Sequence, residues 1–146
     1  MKRRQEAEIH FFSQGNNISL RNRGKLKQFL QLLALKEGKK LGTLNYIFCK
    51  DRELLEINKT YLKHNFYTDI ITFGLSENEE PISGDIYISI DRVRENAKKL
   101  GNSINSETHR VIFHGLLHLC GYKDKTGSDS KKMRNKEDYY LNIYGL

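Results

Sequence analysis

Two imidazoles four positions apart, His114 and His118, carry the plainest chemical signal in this chain. On a helix, residues i and i+4 project from one face a turn apart, so both rings can reach one metal ion. Leu116, Leu117 and Leu119 surround them with apolar side chains that hold the rings and keep water scarce. Gly121 is placed to stop that helix in a left-handed conformation, which reverses the chain. The reversal brings Asp124 back as a third donor, giving His-x3-His-x5-Asp, with Asp129 as the alternative third group. Two nitrogens and a carboxylate oxygen suit zinc, and three protein ligands leave the fourth position to water, as in metal-dependent hydrolases. The zinc-protease motif His-Glu-x-x-His has its general base directly after the first histidine, where this chain has Gly115, which argues against a thermolysin-like protease. Cys120 stands two positions from His118, on the other side of the helix, and is expected in the core.

Those donors need a frame. The predicted metal helix starts at Asn105 or Ser106 and runs through Val111, Phe113 and Leu117 to Gly121. Before it, Ala7–Phe12, Leu44–Cys49, Asp69–Phe73 and Asp85–Ile90 read as strands, the last from isoleucines alternating with Asp85, Tyr87 and Ser89. Leu26, Phe29, Leu30 and Leu33 recur at helical spacing before a stop at Gly38. Asp51 is expected to cap a helix carrying Leu54, Ile57, Asn58 and Tyr61, and Asp91 another through Val93, Ala97 and Leu100. A last helix is expected from about Ser128 to Tyr140, and Ser76–Pro81 reads as a loop. The fold expected is α+β: one mixed sheet of about four strands packed with about five helices, in a single domain over residues 1–146.

At 146 residues and 38% hydrophobic content, one compact domain with a modest core suffices. The sequence has no run of 18 apolar residues to span a bilayer, and its charged start lacks the apolar stretch of a secretory signal, so a cytosolic protein is expected. Two cysteines are too few for a disulfide framework and read as thiols. Residues 1–40 hold 10 Lys+Arg against 3 Asp+Glu, while residues 41–146 hold 15 of each, so the whole net charge of +7 sits in the first forty residues. Lys2, Arg3, Arg4, Arg21, Arg23, Lys25 and Lys27 could attract a polyanion such as RNA; a solvated basic face is the plainer alternative.

Three blocks carry a family resemblance. His114-Gly-Leu-Leu-His-Leu-Cys-Gly-Tyr122, Thr68-Asp-Ile-Ile-Thr-Phe73 and Ser83-Gly-Asp-Ile-Tyr-Ile-Ser89 are similar, in order and spacing, to signature segments of the YbeY family of bacterial endoribonucleases and rRNA maturation factors. The resemblance implies an α+β fold with one Zn(2+) per chain. It also implies a role on ribosomal RNA and ribosomal particles, in maturing the 3′ end of the small-subunit RNA and in ribosome quality control. The chain departs from the family at two places. The family's third histidine ligand corresponds to Asp124, an acid that still coordinates zinc, and the arginine after its Leu-Asn-x-x-Tyr stretch corresponds to Leu62. Lys63 or His64 could supply that missing charge.

The expected activity is metal-assisted hydrolysis of single-stranded RNA, with His114, His118 and Asp124 on zinc and His114, Lys63 and His64 as candidate catalytic residues. The rival expectation is a zinc-containing ribosome-assembly factor that binds rRNA without cutting it; a peptidase is a third. Asp69 and Asp85 are expected to make structural hydrogen bonds, to a turn or to a metal-binding histidine.

Overall fold

A computed structural model describes residues 7–13, 20–75 and 81–146. The chain runs β1 (Glu8–Ser13), α1 (Arg23–Lys36), β2 (Leu41–Cys49), α2 (Asp51–Leu62), β3 (Ile70–Gly74), β4 (Ile82–Ser89), α3 (Ile90–Leu100), α4 (Ile104–Leu119) and α5 (Gly127–Tyr144). The strands form one mixed sheet in the order β1-β2-β4-β3, with β3 antiparallel to β4 and the other pairs parallel. Among the described residues, the expected α+β architecture, with its four strands and five helices, is the one found. Lys2, Arg3, Arg4 and most of the Ser76–Pro81 stretch lie outside the described residues.

The two faces of the sheet are covered unequally. Leu44, Tyr46, Phe48, Ile86 and Ile88 alternate onto the face packed by α1, α4 and α5, which holds the main core. The other face has a smaller cluster of Cys49, Leu54 and Ile71, with Ile57, Phe73 and Tyr87 beside it. β2 and β4 therefore need apolar residues on both sides, which is why β2 runs Leu-Asn-Tyr-Ile-Phe-Cys almost without a break.

The helix starts differ from the sequence expectation. Asp51 and Asp91 do not cap their own helices. The start of α2 has no side-chain cap, and Ser89 caps α3 by accepting from the Arg92 amide. The two acids cross over instead: Asp91 Oδ2 accepts from the Asp51 amide at 2.8 Å, and Asp51 Oδ1 accepts from Arg92 Nε at 3.1 Å and from Ser89 Oγ at 3.1 Å. A neighbouring helix satisfies the orphan amide that a local cap would have taken, which spacing along one segment does not reveal. Likewise α4 is capped by Ser103 rather than Asn105 or Ser106, and α5 by Thr126.

Gly115 sets how closely α4 lies on the sheet. A Cβ there would sit 2.8 Å from Ile86 Cγ2 and 3.2 Å from Ile70 Cδ1, and the Cγ2 methyl of a β-branched residue in a strand cannot swing away. Gly115→Ala should therefore cost roughly 1–3 kcal/mol as the helix lifts from the strands. A urea midpoint equal to wild type would show that the contact yields freely.

Candidate functional site

The site grows from one face of α4 and the end of the chain reversal that follows it. Glu107, Arg110 and His114 recur at i, i+3 and i+7, so they line up on that helix. Opposite stands α5, whose buried residues Met133, Glu137, Tyr140, Leu141 and Tyr144 fall at helical spacing. Glu137 is thus a carboxylate on an apolar face, which is unstable unless paired. It is paired twice. Its Oε2 meets His114 Nδ1 at 2.7 Å, and its Oε1 accepts from Arg110 Nη1 at 3.1 Å. Arg110 also reaches Asp138 Oδ1 at 2.7 Å and lies 3.9 Å from Glu107 Oε2.

A carboxylate only accepts hydrogen bonds, so the contact with Glu137 places the His114 proton on Nδ1 and leaves the Nε2 lone pair outward. Burial lowers the pKa of His114, but the hydrogen bond and charge of Glu137, helped by Asp124 and Asp69, outweigh it and hold the imidazole above its ordinary 6.5. Asp69 is pushed up, mainly by burial, against the pull of His114.

α4 ends in two bonds that define its reversal: the Gly121 amide donates to the His118 carbonyl and the Tyr122 amide to the Leu117 carbonyl, at 3.0 and 3.1 Å. Gly121 has φ 113°, a conformation that side chains with a Cβ rarely adopt. The chain then returns to place Asp124 Oδ2 3.6 Å from His114 Nε2. Two ligands of one tetrahedral zinc, each at ~2.0–2.1 Å, lie roughly 3.3–3.4 Å apart, so this pair is close to a metal-sharing separation. His118 is exposed on the same helix one turn further on. Among the described residues no three His, Cys, Asp or Glu side chains converge into a closed cage. The donors at hand nonetheless fit zinc in kind: an oriented imidazole nitrogen, a facing carboxylate, and the exposed imidazole of His118.

His114 and Asp124 open into a cleft of about 360 Å³ shared with Asp69, Arg110, Arg134 and Glu137. Asp129 is not part of its lining, so of the two candidate third ligands Asp124 is the one that faces His114 Nε2. Lys63 and His64 are exposed past the end of α2, where Lys63 takes a left-handed conformation and His64 stacks on Phe66 at 5.0 Å; neither lines this cleft. Asp85 accepts from Asn45 Nδ2 at 3.0 Å across the β2/β4 pair, a structural bond as expected, but to a residue of the neighbouring strand and not to a turn or a histidine. Asp69 lines the cleft, and its backbone carbonyl accepts from the Ser89 amide at 2.9 Å. Cys120 packs against the main core, where burial pushes its thiol up to about 12. Sequence reasoning missed Glu137, Arg110 and Arg134. For Glu137 the signal was present, as an acid falling in register with Met133, Tyr140, Leu141 and Tyr144.

A family model described as Endoribonuclease YbeY matches residues 8–145. A protein named Endoribonuclease YbeY from Cytophaga hutchinsonii is 48% identical over 138 residues, 94% of this chain and 96% of its own length. Another of that name from Flavobacterium psychrophilum is 53% identical over 110 residues, covering 75% of this chain and 78% of the relative. Among solved structures, the solution structure of TM1509 from Thermotoga maritima matches with a TM-score of 0.64 at 28% identity, over 93% of this chain and 88% of that one. The matched span takes in both sides of the cleft, from Asp69 to Glu137, and with it the chain belongs to the YbeY endoribonuclease family.

Proposed function

We propose that this chain is a zinc-dependent endoribonuclease that cuts single-stranded RNA in rRNA processing, at the 3′ end of small-subunit rRNA, and acts in ribosome quality control. The reaction class follows from the family, whose members are named endoribonucleases. The observation that carries the metal reading is the Glu137–His114–Asp124 line: a carboxylate fixes one nitrogen of the ring and an acid faces the other. His114, Asp124 and the exposed His118 would hold the ion. When bound, zinc supplies a water of pKa near ~7 and polarises a phosphoryl oxygen.

The remaining work belongs to the side chains. Glu137 keeps the Nδ1 proton in place and Arg110 holds Glu137, so the ring cannot turn its bare nitrogen away. Arg134, exposed at the cleft wall, is in place to stabilise charge developing on the phosphate. Lys63 and His64 are assigned to gripping the strand outside the cleft. Arg134→Ala should then lower kcat by roughly 10²-fold, whereas Lys63→Ala and His64→Ala should raise KM; the reverse pattern would return the catalytic role to those two residues.

Zinc must displace the proton that acid puts on His114. Because the pKa of that ring is raised, zinc affinity should fall as pH drops through a value above 6.5. In metal-free protein the same shift gives a stability contribution that is fully present below 6.5 and is lost as pH rises through the folded-state pKa. Competition with a chromophoric chelator across this range measures the first effect. An affinity independent of pH would remove His114 from the ligand set.

The exposed position of His118, apart from any closed cage, favours one second reading: a zinc-containing assembly factor that binds rRNA without cutting it. Zinc-loaded protein incubated with a defined single-stranded RNA separates the two. Cleavage abolished by chelator and restored by zinc supports the enzyme, whereas tight binding with no cleavage supports the factor.

A further inference from the structure

A second cavity, of about 640 Å³, lies between the C-terminal end of α1 and the face of α5 turned away from the cleft. Lys36, Lys132, Lys136, Tyr122 and Tyr139 line it, with Glu37 nearly buried among them at 8% side-chain exposure. We propose that this cavity binds one nucleotide of the RNA strand, beyond the point of cleavage; this rests on the reading of the chain as an RNA-cutting enzyme.

Charge is the first argument. Glu37 is the acid of the cavity, and its carboxylate is already committed: the Tyr122 hydroxyl donates to Oε1 at 2.6 Å, and the Tyr140 hydroxyl and Lys136 Nζ donate to Oε2. Burial raises its pKa, but those three donors outweigh it and keep the carboxyl below its ordinary range, so Glu37 stays ionised and balances Lys136. The charges of Lys36 and Lys132, both exposed, remain in excess and face an anion. Shape is the second. Tyr139 is 47% exposed, and the ammonium groups of Lys36 and Lys136 lie 5.7 and 5.9 Å from its ring, so a flat aromatic surface stands beside cations. A base stacks on such a ring while its phosphate meets the lysines, the combination by which single strands are held without sequence preference. An acidic peptide would use the lysines and leave the ring idle.

Placement is the third. α5 turns Met133, Arg134 and Glu137 to the cleft and Lys132, Lys136 and Tyr139 to the cavity. The two sites are therefore about one helix width apart, ~10–12 Å with side chains. A strand of a few nucleotides crosses that distance.

Fluorescence anisotropy with labelled, cleavage-blocked oligoribonucleotides of about three and about ten nucleotides tests this, since single-strand sites span roughly 4–16. For the longer RNA, the Lys36→Gln/Lys132→Gln pair should reduce the slope of log K against log salt by about 0.7, the share of the one phosphate that the two lysines meet. Tyr139→Leu should weaken binding ~5-fold or more with the slope unchanged. Binding of the short RNA and the melting temperature should not move. The proposal is overturned if the longer RNA binds all variants equally, if the short RNA loses as much as the long one, or if polyglutamate displaces the long RNA as well as unlabelled RNA does. A wild-type protein that binds no RNA sinks the enzyme reading and this one together. One that cuts RNA while the variants bind normally sinks this one alone.

Discussion

Glu137→Leu should lower the melting temperature by roughly 6–12 °C, because it leaves the largely buried Arg110 guanidinium without its inner partner. Breaking one side of a buried ion pair costs about 3–5 kcal/mol, and the low end applies since Arg110 keeps Asp138. At ~2–4 °C per kcal/mol for a chain of this size, ~3 kcal/mol gives the stated range. The same change frees the His114 ring, so zinc affinity should fall ~10–100-fold. Glu137→Gln separates the two effects. Its amide oxygen still accepts from His114 Nδ1 but does not neutralise Arg110, so melting should drop while zinc affinity stays near wild type. If both variants bind zinc as wild type does, the ring is positioned by something else.

The second large effect is on RNA cleavage. His114→Ala removes a ligand outright, and losing a ligand must cost more than losing a contact that supports one, so activity should fall by more than ~100-fold. His118→Ala should do the same if its ring joins the ion when the metal binds. Single-turnover cleavage of one defined RNA, with zinc content measured on each preparation, checks both. Full activity in His118→Ala would leave a two-residue site and exclude the exposed ring.

The sequence carried the fold far because its signals were local. Isoleucines alternating before Asp91 marked β4, and Gly121 marked the end of α4. The caps were lost because each acid serves the other's helix, Asp91 accepting from the Asp51 amide and Asp51 from Arg92, a relation set only when α2 and α3 meet. For the candidate site, spacing within one helix pointed to His114 and His118, of which only His114 lines the cleft, and the predicted reversal pointed to Asp124, which lines it too. Glu137 stayed hidden because its partner is 23 residues away along the chain and only the packing of α4 against α5 joins them. Leu62 directed attention to its neighbours Lys63 and His64, whereas the cations that line the cleft come from α4 and α5.

The Tyr46 hydroxyl in the middle of β2 donates to the Ile112 carbonyl at 3.0 Å, and nine residues of α4 are buried. The helix that carries His114 is thus tied into the interior of the sheet, and it should open together with the sheet. Its amides should exchange with deuterated solvent only through opening of the whole domain. Zinc at one end of α4 would then slow exchange not just beside the ion but along that helix and across β2 and β4, since a ligand of the folded state suppresses global opening by a factor that grows with its free concentration over its Kd.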